Sequence, residues 1–539
     1  MEMVTPYDLQ HAYRSAGSWT ADTLAREVCR HADEHPDRLA VVDGSDHRQR
    51  TYGQLVDEAS RLAGWLHERG IEPGDGVSVQ LPNRYETVVV DLAVFMVGAR
   101  LNPLLPNYRY QELRHILTSS RSRVLFTPAT YRGFDHLELT SELMSEVSTL
   151  GNHVVVPDHF EDGTSTMFSD ILALQPPLHR LSGEASQVSE LIFTSGTEAT
   201  PKAVMHTEET LNHSVRASYE HLGMSDADVV FMPSPVGHST GLNYGIRMAL
   251  LHGLPIVLQD RWNGSHAARL VEQYSCTYVL SATTFLADLL EASRRDGQDL
   301  SSLALFGCGG APVPPELVRE AQQFGVRVLR LYGSTEGLII SWNHPDSPEE
   351  KRLHSDGVVL PDTEVRVIDG DGQDLPAGSP GELLIRGPNV CVGFFDDPQR
   401  TAATFDHEGW LHSGDRGVMD DDGYLTIIGR KKDIIIRGGM NLAPREIEDA
   451  IAELSGIMDV AVIGLPDERL GEVVCACVVL GPGTAEPTVD EVGDYLTERG
   501  LARYKLPERL VVVQELPRTP TGKIQKRILT DQVVSGGDT

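Results

Sequence analysis

The sequence predicts an α/β protein of two or more domains, with largely parallel sheets first, then a small β-rich subdomain and a compact α+β unit. Three observations carry that expectation. Helix-like and strand-like segments alternate through the first part of the chain, as largely parallel sheets require. A stretch of short strands separated by Gly/Asp/Pro turns follows. At 539 residues the chain is too long for a single core.

The elements justify themselves in order. Thr51 is placed to cap a helix carrying Leu55, Ala59, Leu62, Ala63 and Leu66, which stops at Gly70. Val77–Leu81 reads as a strand and Glu86–Val97 as a buried helix. Arg123–Thr127, Val154–Val156 and Ser189–Phe193 are further strands, and Leu303–Phe306 another. Glu364–Ile368 and Glu382–Ile385 belong to a small β-rich subdomain. Tyr424–Ile428 is a strand leading to the charged run Arg430-Lys431-Lys432-Asp433, which by itself is a solvated turn. Beyond it, Glu446–Leu454 and Val489–Arg499 read as helices, and Val460–Ile463 and Val473–Leu480 as strands. The tail Ser535–Thr539 is expected to be disordered.

Composition is ordinary for a globular chain, 40% hydrophobic and 23% charged. A net charge of −32 disfavours nucleic acid and anionic membranes as partners and favours solubility. The six cysteines form no CxxC pair, which points to a reducing cytoplasm. Cys475 and Cys477 share a strand face and read as packing residues. No basic-then-apolar leader opens the sequence. The greasiest run, Val88–Val97, contains Asp91 and is too short to span a bilayer.

The loop Thr194-Ser195-Gly196-Thr197-Glu198-Ala199-Thr200-Pro201-Lys202 is rich in hydroxyls, with a glycine and a lysine. Such a loop suits a polyphosphate, yet it is not a Walker A loop, because GxxxxGK[ST] is absent. Downstream lie Tyr332-Gly333-Ser334-Thr335-Glu336, Gly381-Glu382-Leu383, Gly409–Asp415, Gly429–Asp433 and Pro520-Thr521-Gly522-Lys523. In this order the motifs resemble the adenylate-forming superfamily of acyl-CoA synthetases, peptide-synthetase adenylation domains and beetle luciferases. The resemblance runs from about Thr20 to Leu529.

That resemblance implies an ATP-dependent carboxylic acid–CoA ligase. Such an enzyme joins an acid to AMP with loss of pyrophosphate, then passes the acyl group to CoA. It implies a domain of residues 1–431 with a β-rich part from about 355, a mobile domain of residues 432–539, and a hinge at Lys432. Thr194, Ser195, Gly196, Thr197 and Lys202 would hold the outer phosphates, and Glu336 would bind Mg²⁺. Thr335 would hydrogen-bond the α-phosphate. Tyr332 would stack on adenine opposite Gly309, Gly310, Ala311 and Pro312, with Gly333 and Ser334 beside it. Asp415, helped by Arg430, would take the ribose hydroxyls. A lone aspartate in a GDRG turn is otherwise turn chemistry. Lys523 would stabilise charge during adenylation.

For the second step the resemblance implies that the small domain rotates, withdrawing Lys523 and bringing Gly438 and Gly439 to a pantetheine tunnel; the alternative is a tight turn. His238 matches a gating position. The acyl pocket would involve His238, Ser239, Gly241, Tyr244, Gly309 and Gly333. The segment Gly237–Gly245 has no charged side chain, and its three glycines are expected to leave room for a bulky, largely apolar acid. Asn243 and Tyr244 would cap its far end or hydrogen-bond one polar group.

Glu198, Ala199 and Ala203 depart from the superfamily pattern. Glu198 would turn outward, pair with a lysine or help hold Mg²⁺. Ile436 replaces the luciferase lysine, and no acid stands where amino-acid activators carry one. Ser239 replaces the asparagine of salicylate-type activators. Two other readings stay open: an enzyme loading a carrier protein, and a nucleotide-binding homologue without turnover. A homodimer is also left open.

Overall fold

The helix Tyr52–Glu68 begins as its sequence directs. Thr51 accepts from the Gln54 amide while the Gln54 side chain accepts from the Thr51 amide, a reciprocal cap. The next helix, Tyr85–Met96, is buried along its whole length. It lies between two sheets, touching Gly76–Val79 of one and Leu39–Asp43 of the other. A predominantly apolar helix needs such cover, and its apolar residues belong to the largest hydrophobic cluster among the described residues. These relationships come from a computed structural model describing residues 4–157, 167–194, 201–309, 313–437, 440–467, 470–499, 501, 503–519 and 522–535.

The first sheet has six strands, in the order Lys202–Thr207, Val188–Thr194, Arg100–Pro103, Gly76–Val79, Ser122–Pro128 and Asn152–Val156. All pair in parallel except Lys202–Thr207, which returns antiparallel along Val188–Thr194. The second has nine strands, with a parallel centre running from Arg327–Ser334 through Leu305–Gly309, Tyr278–Ser281, Val230–Met232 and Ile256–Leu258 to Leu39–Asp43. Antiparallel strands Leu338–Trp342 and Val358–Val359 close one edge and Arg48–Thr51 the other.

A four-stranded antiparallel sheet follows, in the order Glu364–Ile368, Gly381–Arg386, Leu411–Met419 and Leu425–Arg430. A short 3₁₀ helix, Lys431–Asp433, then leads into the last unit. There Met440–Leu442, Ile435–Arg437, Gly471–Leu480, Ile457–Asp467 and Arg509–Val512 form a five-stranded sheet. It is covered by the helices Pro444–Ala452 and Val489–Glu498, which share its core. Cys475 and Cys477 are buried together in a second small cluster, as their spacing indicates. The mixed α/β body, β-rich part and small α+β unit are those the sequence indicates. No helix among the described residues is long and apolar enough to cross a membrane.

Two local expectations are corrected. The GDRG segment is not a turn: Asp415 lies inside the strand Leu411–Met419, where Gly414 adopts φ +71° and the register slips just after Arg416. The strand expected at Leu303–Phe306 runs instead over Leu305–Gly309, because it pairs with Arg327–Ser334 in a register that sets Gly309 beside Leu331.

Candidate active site

Sheet register builds the site. In the four-stranded sheet Asp415 stands directly across from Arg430, and Arg430 Nε lies 3.2 Å from Asp415 Oδ1. The other carboxylate oxygen accepts the Tyr332 hydroxyl at 2.6 Å. Tyr332 comes from the nine-stranded sheet and is buried among Val204, Ile340 and Leu383. Ser413 Oγ donates to Leu383 O and accepts from the Asp415 amide, which holds the bulged segment.

Glu336 follows in the turn between Arg327–Ser334 and Leu338–Trp342. Its carboxylate pairs with the Lys202 ammonium, and Lys202 opens the returning strand of the six-stranded sheet. The Glu336 carbonyl accepts the Cys391 amide at 2.7 Å. Ser334 Oγ accepts from the Gly337 amide and closes the turn. His206, wholly buried, donates from Nε2 to the Thr335 carbonyl at 2.7 Å.

Lys202, Ser334, Glu336, Ser413, Gly414, Asp415, Arg430 and Lys431 line one cavity of about 340 Å³. Its lining carries three cations and two carboxylates, in a chain whose net charge is −32. Lys523, from the small domain, is near enough to Arg430, Asp415 and Glu336 to feel their charges, and it acts in turn on the Asp415 carboxyl. At the head of the phosphate loop Thr194 Oγ1 is buried with no partner among the described residues. Cations from two domains and an unspent hydroxyl suit a polyphosphate better than a structural ion network.

The electrostatics fit this composition. Burial opposes ionisation of Glu336, but Lys202 outweighs it and the carboxyl falls below its ordinary value. Burial of Asp415 wins over Arg430, Tyr332 and Lys523, so that carboxyl is raised. Solvent still reaches Lys523, yet desolvation by the surrounding protein, then Arg430, lowers its ammonium despite Asp415 and Glu336. Burial, assisted by Lys523, pushes the His238 imidazole down to about 4. His238 is therefore neutral at neutral pH.

The structure brings Lys202, Tyr332, Ser334, Glu336, Asp415, Arg430 and Lys523 together. Ser195, Gly196, Thr197, Glu198, Gly310, Ala311, Pro312, Gly438 and Gly439 lie outside the described residues, as does the side chain of Lys432. Its backbone sits in the 3₁₀ connection between the four- and five-stranded sheets. Sequence reading quoted Ser413, Gly414 and Lys431 inside motifs but gave them no role; it missed His206, which stands in no motif.

The glycines of the acyl segment do not open space as expected. A Cβ on Gly237 would lie 2.4 Å from Leu104 O, and one on Gly241 2.3 Å from Pro235 O. Gly245, Gly309 and Gly333 meet Met232, Leu331 and Leu338 in the same way. Close chain packing requires these glycines. Asn243 and Tyr244 are also committed elsewhere. Asn243 bonds Glu190, Ser239 and Arg247. The Tyr244 hydroxyl bonds Ser214 Oγ and accepts the Ile339 amide.

Fold and cavity together define a nucleotide-using enzyme of the adenylate-forming class. The profile described as AMP-binding enzyme matches residues 28–395, and that of the AMP-binding enzyme C-terminal domain residues 446–523. The chain belongs to the AMP-binding enzyme family. It is 39% identical over 525 residues to the medium-chain fatty-acid–CoA ligase of Escherichia coli, covering 97% of this chain and 92% of that one. To the 2-hydroxy-7-methoxy-5-methyl-1-naphthoate–CoA ligase of Streptomyces carzinostaticus it is 32% identical, covering 97% and 95%. The crystal structure of ATP-bound MatB from Rhodopseudomonas palustris superposes with a TM-score of 0.85 at 27% identity, covering 94% and 98%.

Proposed function

We propose that this protein is an ATP-dependent acid–CoA ligase acting on a largely apolar carboxylic acid of medium-chain or larger size. The observation that carries this reading is the cavity where Lys202, Glu336, Asp415 and Arg430 meet Lys523. The E. coli and Streptomyces relatives support the acyl class by their names, and the ATP-bound relative supports the nucleotide.

In the first step a substrate carboxylate oxygen bonds the α-phosphorus of ATP. The bond from that phosphorus to its bridging oxygen breaks, and pyrophosphate leaves. Both reactants are anions, so the protein's task is alignment and neutralisation. Lys202 and Thr194 would hold the outer phosphates, Thr335 the α-phosphate, and Asp415 with Arg430 the ribose; Tyr332 would flank adenine. Lys523 would meet the charge that grows on the oxygens around the α-phosphorus.

Glu336 fits a divalent cation. Its carboxylate is ionised, faces the cavity, and already has the Lys202 ammonium in its cation position. Mg²⁺, when bound, supplies charge neutralisation on the phosphates. In the second step the thiol sulfur of CoA bonds the acyl carbon, the bond from that carbon to the AMP oxygen breaks, and the thiol proton passes to solvent. Rotation about Lys432 between the steps, with Gly438 and Gly439 facing the thiol, belongs to the same proposal.

Incubation with ATP, Mg²⁺, CoA and a panel of acids, read by mass spectrometry, tests the whole reading. Acyl-CoA and AMP should form together. Acyl-AMP without transfer to CoA would favour a carrier-protein acceptor. No pyrophosphate with any acid would overturn the ligase reading.

A further inference from the structure

Asp356 lies at the junction of three structural parts. Its Oδ1 accepts from Arg330 Nη2 at 2.9 Å, and Arg330 sits on the strand that carries Tyr332. Its Oδ2 accepts from the Ile427 amide at 2.8 Å, on the strand that ends in Arg430. Its own amide donates to Leu425 O. One buried carboxylate thereby fixes two strands that supply the nucleotide cavity.

The third part is the small domain. The helix Pro444–Ala452 packs against Leu425–Arg430. Arg445, in its first turn, brings Nη2 to 3.8 Å from Asp356 Oδ1. The same helix carries Glu448, whose carboxylate accepts the Val462 amide and pairs with Lys526 at 2.6 Å. Lys526 opens the helix Lys526–Val534, three residues beyond Lys523. A continuous path thus runs from Asp356 through Arg445, the helix and Glu448 to the segment that presents Lys523.

The contact is also built to release. Removing one partner of a buried ion pair ordinarily strands the other. Here each keeps a second partner on its own domain. Asp356 retains Arg330, and Arg445 has Asp449 at 3.8 Å, one helical turn along. The two sides can separate without leaving a lone buried charge. At 3.8 Å the pair also lacks the direct hydrogen bond that would fix it rigidly.

We propose that the Asp356–Arg445 contact holds the small domain with Lys523 in the cavity, making Arg445 a positioning residue for adenylation but not for thioester formation. This rests on the ligase reading above.

The test separates the two half-reactions. Adenylation is followed as pyrophosphate released from decanoate, ATP and Mg²⁺ without CoA in a single turnover. Thioester formation is followed from supplied decanoyl-AMP and CoA. Arg445→Gln should slow adenylation about tenfold, the scale of a broken two-group coupling, while thioester formation stays at or above the wild-type rate. Arg445→Lys should restore adenylation to within about threefold, because a contact without a direct hydrogen bond needs only the charge. Arg445→Met replaces the glutamine variant should that one not fold, and thermal unfolding checks each protein. Equal loss in both steps, undiminished adenylation in the neutral variant, or no rescue by lysine would overturn the proposal. If the wild type performs neither half-reaction, the ligase reading itself fails, a result separate from any difference among the variants.

Discussion

Tyr332 donates its hydroxyl to Asp415 at 2.6 Å, joining the nine-stranded sheet to the four-stranded sheet across 83 residues of sequence. With Arg430 on the other oxygen, both oxygens of the Asp415 carboxylate are held by protein groups. A carboxylate fixed in this way need not be oriented by the ribose it would bind.

Tyr332→Phe should therefore raise the KM for ATP more than it lowers kcat. The loss is one buried hydrogen bond to a charged acceptor, about 1.5–3 kcal/mol, or roughly ten- to hundredfold in affinity. Initial-rate kinetics with ATP varied at saturating acid measure it. An unchanged KM would show that Arg430 alone orients Asp415.

Lys523→Ala should lose about 10²-fold or more in adenylation, the scale of removing a cation aimed at developing charge. It should convert supplied acyl-AMP to acyl-CoA at a near-normal rate. Equal losses in the two half-reactions would refute the separate roles of the two steps.

Burial pushes the His206 imidazole down to about 4, although the Thr335 carbonyl favours its charged form. The unfolded chain carries an ordinary histidine near 6.5, so between these values the unfolded state binds the additional proton. The stability linked to His206 is intact above pH 6.5 and is lost as pH falls toward 4, by up to about 3 kcal/mol. Thermal unfolding from pH 7 to pH 4 should show a shallower decline in His206→Gln, which keeps a donor toward Thr335 but does not titrate. Parallel curves for the two proteins would contradict this linkage.

The sequence made the order of elements legible because capping, periodicity and turn residues are local properties. It named Lys202, Glu336, Asp415 and Arg430, but not the contacts among them. Those contacts depend on register, and a strand register is a property of two segments. The GDRG segment around Asp415 has turn composition, and only a partner strand makes it part of a strand. The glycines of Gly237–Gly245 read as space because the sequence does not reveal which atoms face a missing Cβ. The buried Arg247, paired with Glu190 and Glu208 at 2.7 Å each, left no trace in sequence because its partners lie 57 and 39 residues away.

That same network decides how the acyl segment treats charge. Glu190 lies close to this segment, but its charge is spent on Arg247, and Asn243 is shared among Glu190, Ser239 and Arg247. Tyr244 is committed to Ser214 and Ile339, and His238 is neutral at neutral pH. Lys523, the nearby cation, would serve the carboxylate being activated. A substrate with an α-ammonium or a second carboxylate would have to bury that charge beside groups that offer it no unpaired opposite charge. Even partial desolvation of such a group costs several kcal/mol, so discrimination should reach about 10²-fold or more. The clean comparison pairs acids of equal skeleton: 4-methylpentanoate with leucine, and hexanoate with hexanedioate. In each pair kcat/KM for CoA-thioester formation should favour the uncharged chain by that factor at pH 7.5. Comparable values within either pair would mean that a charged partner for the substrate stands in this segment after all.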